Sequence, residues 1–166
     1  MLHPEVFSIA SLFRGAEVRF WLIGGQAIEL VCTFGYEQGL RPHDDIDFFV
    51  HADDAARAVS VLEAAGFVHA HGSLRGGDLF MKRAELLLNL VPILPAPPRT
   101  LDVLADIKWP LDFLAPYMLA PYMVRGVPTL TPAMHLAMKR AVSQFYGLPL
   151  RPRDLLDVSV LKALLA

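Results

Sequence analysis

The sequence predicts an α+β fold: a small mixed β-sheet flanked by helices. Three observations carry this. Apolar runs of strand length alternate with helical segments early in the chain, then give way to a hairpin and finally to helices, in the order β-α-β-α-β-β-β. One apolar strand, Val18–Ile23, runs straight into Gly24-Gly25 and a helix. Two aspartates, Asp45 and Asp47, interrupt the apolar strand that holds Ile46, Phe48, Phe49 and Val50, where Asp is normally depleted.

The elements follow in order. Pro4 opens an amphipathic helix to about Arg14, since proline at the first helical position gives up no hydrogen bond. Val18–Ile23 is the first strand and Gly25–Thr33 the first core helix. Residues 34–43, with Gly35, Gly39 and Pro42, form a loop before the second strand, Asp45–Val50. Asp53 and Asp54 stand where a helix cap is wanted, and Ala55–Ala65 is that helix, stopped by Gly66. Phe67–Ala70 is a short strand. Asp78–Lys82 and Glu85–Val91 pair as a hairpin around Arg83-Ala84. Residues 92–121 are punctuated by Pro92, Pro95, Pro97, Pro98, Pro110, Pro116 and Pro121 and read as loop with short helical pieces. Tyr122–Leu130 holds two short strands around Arg125-Gly126. Thr131-Pro132 starts a helix to about Tyr146, ended by Gly147, and Pro152 or Arg153 opens the last one, to about Leu165. The expected division is a core with a proline-rich connection, 1–121, and a hairpin with two helices packed on it, 122–166.

Composition narrows the function classes. At 166 residues the chain is one domain, or one domain with a small helical appendage. Apolar residues make up 54% and mean hydropathy is +0.41, enough for a sizeable core and a hint of a buried partner surface such as a homodimer interface. A net charge of −2 argues against a broad electrostatic footprint for duplex nucleic acid. The single cysteine, Cys32, excludes a disulfide framework or a cysteine zinc site and reads as a core residue. His69-Ala70-His71 has no third ligand in sequence, so zinc is not expected. The longest charge-free apolar run, Leu86–Pro98, is broken by Asn89 and prolines, so no membrane span is expected. The start lacks the basic-then-apolar pattern of a secretion signal. A reduced, cytoplasmic setting is the expectation.

The chemistry concentrates between Gly24 and Asp47. Side chains at i and i+2 of a strand share a face, so Asp45 and Asp47 stand side by side with Ile46 turned inward. Two adjacent carboxylates repel unless a cation lies between them, and hard oxygen ligands with room for phosphate and water suit Mg²⁺. A Gly-Gly turn opening a helix presents backbone N–H groups to phosphate. Together they point to metal-assisted nucleotide chemistry.

The stretch Gly24-Gly25-Gln26-Ala27-Ile28-Glu29 followed by Arg41-Pro42-His43-Asp44-Asp45-Ile46-Asp47 resembles the nucleotidyltransferase superfamily, which shares a GG/GS…DxD signature with DNA polymerase β. Within it the closest resemblance is to the aminoglycoside 2″-adenylyltransferase and lincosamide nucleotidyltransferase branch. Lys139 and Arg153-Asp154-Leu155-Leu156-Asp157 also resemble a distal motif of AbiEii-type nucleotidyltransferases. The resemblance covers about 18–91 well and 124–165 loosely. It implies a nucleotidyltransferase fold, Asp45 and Asp47 as catalytic Mg²⁺ ligands, and a triphosphate on the Gly24-Gly25 turn. Gln26, Arg41, His43 and Lys139 are then nucleotide contacts. Glu29 faces the cleft or solvent, and Asp44 caps the turn before the strand. Asp154 and Asp157 have a default structural role as acids early in a helix.

One position departs from the pattern. The superfamily's third carboxylate, on a neighbouring strand, aligns with Asn89 in Glu85-Leu86-Leu87-Leu88-Asn89-Leu90-Val91-Pro92. An amide can coordinate a cation through its oxygen but cannot take a proton. Glu85 lies on the same face but roughly 13 Å along the strand, too far to replace it. Either Asp78, Asp102 or Asp106 supplies the base, or the chain binds nucleotide with little or no catalysis. The leading expectation is a Mg²⁺-dependent enzyme that moves a nucleoside monophosphate from an NTP to an acceptor hydroxyl on a small molecule. The alternatives are a toxin-type enzyme acting on RNA or protein, which a basic groove of Arg41, Arg75, Lys82, Arg83, Lys139 and Arg140 would favour, and a degenerate nucleotide-binding or regulatory domain, which Asn89 favours.

Overall fold

The computed structural model describes residues 2–32, 39–93, 101–102, 108–109 and 122–166. Helix α1 spans Glu5–Gly15 and buries Val6, Ile9, Ala10 and Phe13, an i, i+3, i+4, i+7 stripe. Strand β1 (Phe20–Ile23) passes directly into α2 (Gly24–Cys32), with no loop between them. Strand β2 is Asp45–His51 and helix α3 is Ala55–Ala64. Strands β3 (Val68–Ser73), β4 (Asp78–Arg83) and β5 (Leu86–Ile93) follow. The β4–β5 turn places Ala84 at φ +51°. A two-residue ladder pairs β6 (Leu101–Asp102) with β7 (Lys108–Trp109). The loop with short helical pieces expected over 92–121 is therefore strand at 92–93, 101–102 and 108–109, and its other residues up to 121 fall outside the described residues, as does much of the loop before Gly39. Strands β8 (Tyr122–Val124) and β9 (Val127–Thr129) precede the helices α4 (Pro132–Tyr146) and α5 (Pro152–Leu165).

Seven strands make one mixed sheet in the order β3-β4-β5-β2-β1-β9-β8. Strand β2 lies near its middle, antiparallel to β1 and parallel to β5. Strand β9 runs parallel to β1, with Leu22 opposite Thr129, so the late hairpin extends the main sheet. No helix among the described residues is long and apolar enough to cross a membrane.

Strand alternation sorts the two faces. Phe20, Leu22, Ile46, Phe48, Val50, Leu88 and Leu90 point to one face and pack with Val6, Ile9, Phe13, Ile28 and Leu62 from the first three helices. Phe13, Phe20 and Phe48 meet edge to face, with ring centroids 5.2–5.8 Å apart. Cys32 is part of this core. Trp21, Ile23, Phe49, Val91 and Ile93 point the other way, against Leu130, just before α4, and Met134 and Met138 on α4. By the same alternation Asp45, Asp47 and Asn89 belong to the α4 side of the sheet. This places the polar residues of the central strands beneath the C-terminal helices.

Candidate active site

A cavity of about 460 Å³ opens where the sheet meets those helices. Its base is the junction of β1 with α2, through Ile23, Gly24, Gly25 and Ile28. One wall is Asp45, Asp47, Asn89 and Phe80 from neighbouring strands. The opposite wall is His135, Met138, Lys139 and Ser143 of α4, then Leu148–Leu150 and Arg151, Arg153 and Asp154. Arg41, His43 and Asp44 form the rim. His71 stacks on Phe80 at 4.1 Å between centroids and steadies that ring.

The carboxylate pair lies as the strand period requires. Ile46 is fully buried between Asp45 and Asp47, which stay partly exposed on the cavity side. Asn89 is the direct neighbour of Asp47 in the parallel β2–β5 ladder. Its Nδ2 donates to Asp47 Oδ1 at 3.3 Å. Its Oδ1 is buried and has no hydrogen-bond partner among the described residues. Burial pushes the Asp47 carboxyl up to about 6, and the neighbouring Asp45 charge adds to the rise. Gly24 makes this possible. It sits at φ +69°, a conformation that costs other residues, and a Cβ there would run into the Asp47 carboxylate. The positive φ falls on Gly24 alone. Gly25 is helical, and a Cβ on it would strike the Arg41 and His43 side chains.

Of three side chains expected at the nucleotide, Gln26 leaves the cavity, whereas His43 and Arg41 line it while bonded to carboxylates of the protein. Gln26 is 3% exposed and accepts the His3 backbone N–H at 2.8 Å, so it turns away from the cavity. The reason is helical phase: one position after Gly25, the helix has rotated its side chain toward the N-terminal segment. His43 is buried with Nε2 3.1 Å from Glu29 Oε2. Burial lowers its pKa, so the ring is neutral, and its Nδ1 has no partner among the described residues. Glu29 faces neither cleft nor solvent: at 1% exposure it accepts the Leu40 N–H at 2.9 Å and clamps the loop to α2. Arg41 puts its guanidinium fork on a carboxylate of the protein, with Nε and Nη2 each 2.9 Å from Asp157. Asp44 is exposed and pairs with Arg153 at 2.9 Å.

Lys139 does line the cavity, but it is not a solvated helix lysine. Its Nζ lies 2.6 Å from Asp154 and 2.9 Å from Asp157. Asp154 and Asp157 are 6% and 1% exposed, far from the surface positions that first-turn acids normally occupy. A signal for this exists in sequence. Asp154, Asp157, Val158 and Leu161 share one helix face, so two aspartates stand in an otherwise apolar stripe. His135 was also missed. It is 2% exposed, and Nε2 lies 3.1 Å from Thr129 Oγ1, whose own proton goes to Leu22 O at 2.7 Å. Burial lowers its pKa to about 3, so it is neutral.

Of the six basic residues, Arg83 pairs with Glu5 at 2.9 Å and lies over the Phe67 ring, while Arg41 and Lys139 converge on Asp157. Asp78 is exposed at the start of β4 and does not line the cavity. Asp106 and the Asp102 side chain fall outside the described residues. Among the described residues, no third His, Cys, Asp or Glu joins the pair to complete a metal cluster.

No curated protein matches the sequence. Solved structures do match, over nearly the whole chain. The lincosamide antibiotic adenylyltransferase LnuA, solved with lincomycin bound, is 21% identical at a TM-score of 0.66, covering 95% of this chain and 94% of that one. The antibiotic-resistance factor ANT(2'')-Ia in solution is 15% identical at a TM-score of 0.66, covering 100% of this chain and 86% of its own. A crystal structure of ANT(2'')-Ia with adenylyl-2''-tobramycin is 13% identical at a TM-score of 0.65, covering 99% and 91%. These identities show a shared nucleotidyltransferase fold. The aminoglycoside-2''-adenylyltransferase family profile matches residues 5–87, half the chain, from α1 into β5 and across both Gly24-Gly25 and Asp45-Ile46-Asp47. The chain belongs to the aminoglycoside-2''-adenylyltransferase family.

Proposed function

We propose that the protein transfers a nucleoside monophosphate from an NTP to a hydroxyl of a small acceptor, with Mg²⁺ held by Asp45 and Asp47. The observation that carries this reading is the uncompensated carboxylate pair at the cavity wall, with Asp47 pushed up to about 6 and the Asn89 Oδ1 beside it without a partner. Three oxygen donors, two of them anionic and one a neutral carbonyl, fit a hard divalent cation. Asp45 and Asp47 would hold the cation, which would supply the charge that neutralises the pair and offsets the charge developing during in-line displacement at phosphorus.

The chain's own groups supply the rest. The N-terminus of α2, opened by Gly24-Gly25, turns its unpaired N–H groups to the phosphates. Lys139 adds a positive charge from the opposite wall. Phe80 on the strand wall and Met138, Leu148 and Leu150 on the opposite one give the cavity an apolar lining that limits water. The acceptor oxygen bonds to the α-phosphorus, the bond to the bridging oxygen breaks, and pyrophosphate leaves. The acceptor's proton is released to solvent, because the neutral amide of Asn89 is no base. The family and the relatives bound to lincomycin and adenylylated tobramycin point to a hydroxylated antibiotic-like acceptor.

Asn89 favours a second reading, a nucleotide-binding domain that has lost transfer. Two measurements separate them. NTP affinity is compared with and without Mg²⁺ in the native protein, Asp45→Asn and Asp47→Asn; equal affinities throughout would end the metal assignment. Labelled NTP is then incubated with hydroxylated acceptors. A nucleotidylated product supports transfer, whereas Mg²⁺-dependent binding with no product across the panel supports the second reading.

A further inference from the structure

We infer that Asp157 is a positioning residue that holds Arg41 and Lys139 ready for the phosphate chain of the nucleotide, an inference that rests on the nucleotide-binding reading above. Asp157 lies on α5 and is almost fully buried. Its carboxylate accepts Arg41 Nε and Nη2 at 2.9 Å each and Lys139 Nζ at 2.9 Å. Asp154, one turn earlier, accepts the same Lys139 Nζ at 2.6 Å and Arg151 Nε at 2.6 Å. Two carboxylates, Asp154 and Asp157, therefore hold three cations, Arg41, Lys139 and Arg151, at the cavity.

A purely structural account is weak. Buried ion clusters give up hydration, and apolar side chains of similar volume often stabilise as well or better. What the cluster does accomplish is order. Arg41 comes from the loop before β2 and Lys139 from α4, and both long side chains are fixed before any ligand arrives. Of the three Lys139 N–H donors, two meet carboxylates, and among the described residues the third has no acid partner and is left for an incoming oxygen. Both cations line the same cavity as Gly24 and Gly25. Burial opposes ionisation of Asp157, but the hydrogen bonds from Arg41 and Lys139 prevail and hold its carboxyl below the usual range.

The test compares nucleoside, monophosphate, diphosphate and triphosphate affinities, with Mg²⁺, in the native protein, Asp157→Asn and Asp157→Glu. Asp54→Asn is the control, since Asp54 is an equally buried ion-pair acid for Arg19 and Arg57 away from the cavity. The expected result is graded. Asp157→Asn leaves nucleoside affinity within about twofold and weakens NTP by about tenfold or more, the scale for releasing two ordered long side chains. Asp157→Glu, which keeps the charge, falls between it and native. Asp54→Asn lowers stability and leaves the phosphate-length preference intact. If Asp157→Asn does not fold, Asp157→Glu alone decides, by losing NTP affinity more than nucleoside affinity. Uniform weakening across the series, or unchanged or tighter NTP binding, overturns the inference. A native protein that binds nucleoside and NTP equally overturns the nucleotide reading itself.

Discussion

Asp47→Asn should make the metal-free protein more stable at neutral pH. Asp47 has an ordinary carboxyl pKa of 3.8 in the unfolded chain and about 6 in the folded one, raised by burial and by Asp45. The folded state therefore holds this proton more tightly than the unfolded state. Stability from this group is greatest below pH 4 and is lost as pH rises from about 4 to about 6. Two pH units at about 1.4 kcal/mol each give roughly 3 kcal/mol of stability lost at pH 7.5. An asparagine keeps an oxygen to accept from Asn89 Nδ2, so that hydrogen bond survives while the charge is gone. The gain should raise the melting temperature by about 5–10 °C for a chain of this size.

The assay is urea denaturation of native and variant protein in EDTA at several pH values from 4 to 8. The two curves should agree near pH 4 and separate by about 3 kcal/mol by pH 7.5, with native protein the weaker. Below pH 4 both fall together, because Asp54, Asp154 and Asp157 have lowered carboxyl pKa values and lose their pairing when protonated. Adding Mg²⁺ and NTP should stabilise native protein and leave the variant unmoved. A variant no more stable than native at pH 7.5, or a gap that does not change with pH, would refute the reasoning.

Gly24→Ala should lower stability by about 1–2 kcal/mol for its left-handed backbone and displace the Asp47 carboxylate, read as weaker Mg²⁺–NTP binding by calorimetry. Asn89→Asp should tighten Mg²⁺ binding without nucleotide, because it adds the missing charge, and lower metal-free stability by about 1–3 kcal/mol; unchanged metal affinity would remove the charge-deficit argument. Asp54→Asn should cost about 1–2 kcal/mol at pH 7, less than its shift to about 2 implies because Arg19 and Arg57 are half exposed. Since ionised Asp54 is the stabilising form, that loss should fade as pH drops from about 4 toward 2, as a denaturation series would show.

Much of the site was legible because its signals are local. Strand alternation put Asp45 and Asp47 on one face, and the family resemblance singled out Asn89, which the β2–β5 ladder pairs with Asp47. Gly24-Gly25 marked the strand-to-helix junction, and Thr131-Pro132 the start of α4. What was hidden depends on contacts between distant segments. Gln26 faces the wrong way because His3, 23 residues earlier, takes its amide oxygen. Glu29 and His43 are buried together because the loop folds back onto α2. Asp157 resembles a solvated helix acid until Arg41, 116 residues away, is brought to it. No propensity or spacing rule reports a pairing of that range.

The charges of the cavity divide by whether the chain answers them. At the C-terminal helices each carboxylate has a cation within 2.9 Å, and both carboxyls sit below their ordinary range. At β2 the opposite holds. Asp47 is raised, its strand neighbour is a neutral amide, and no side chain among the described residues forms a salt bridge with Asp45 or Asp47. A fold that can neutralise buried aspartates on one wall leaves two without a cation on the other, at a cost that Asp47→Asn would expose. Nothing in the packing requires it, because Ile46 and Phe48 supply the core contacts of that strand. The compensating charge is therefore expected from outside the chain, and a metal–triphosphate complex bridging the two walls would satisfy both at once. In that arrangement Asn89 reduces the anionic charge of the metal site by one, so cation and nucleotide should bind together more tightly than either binds alone.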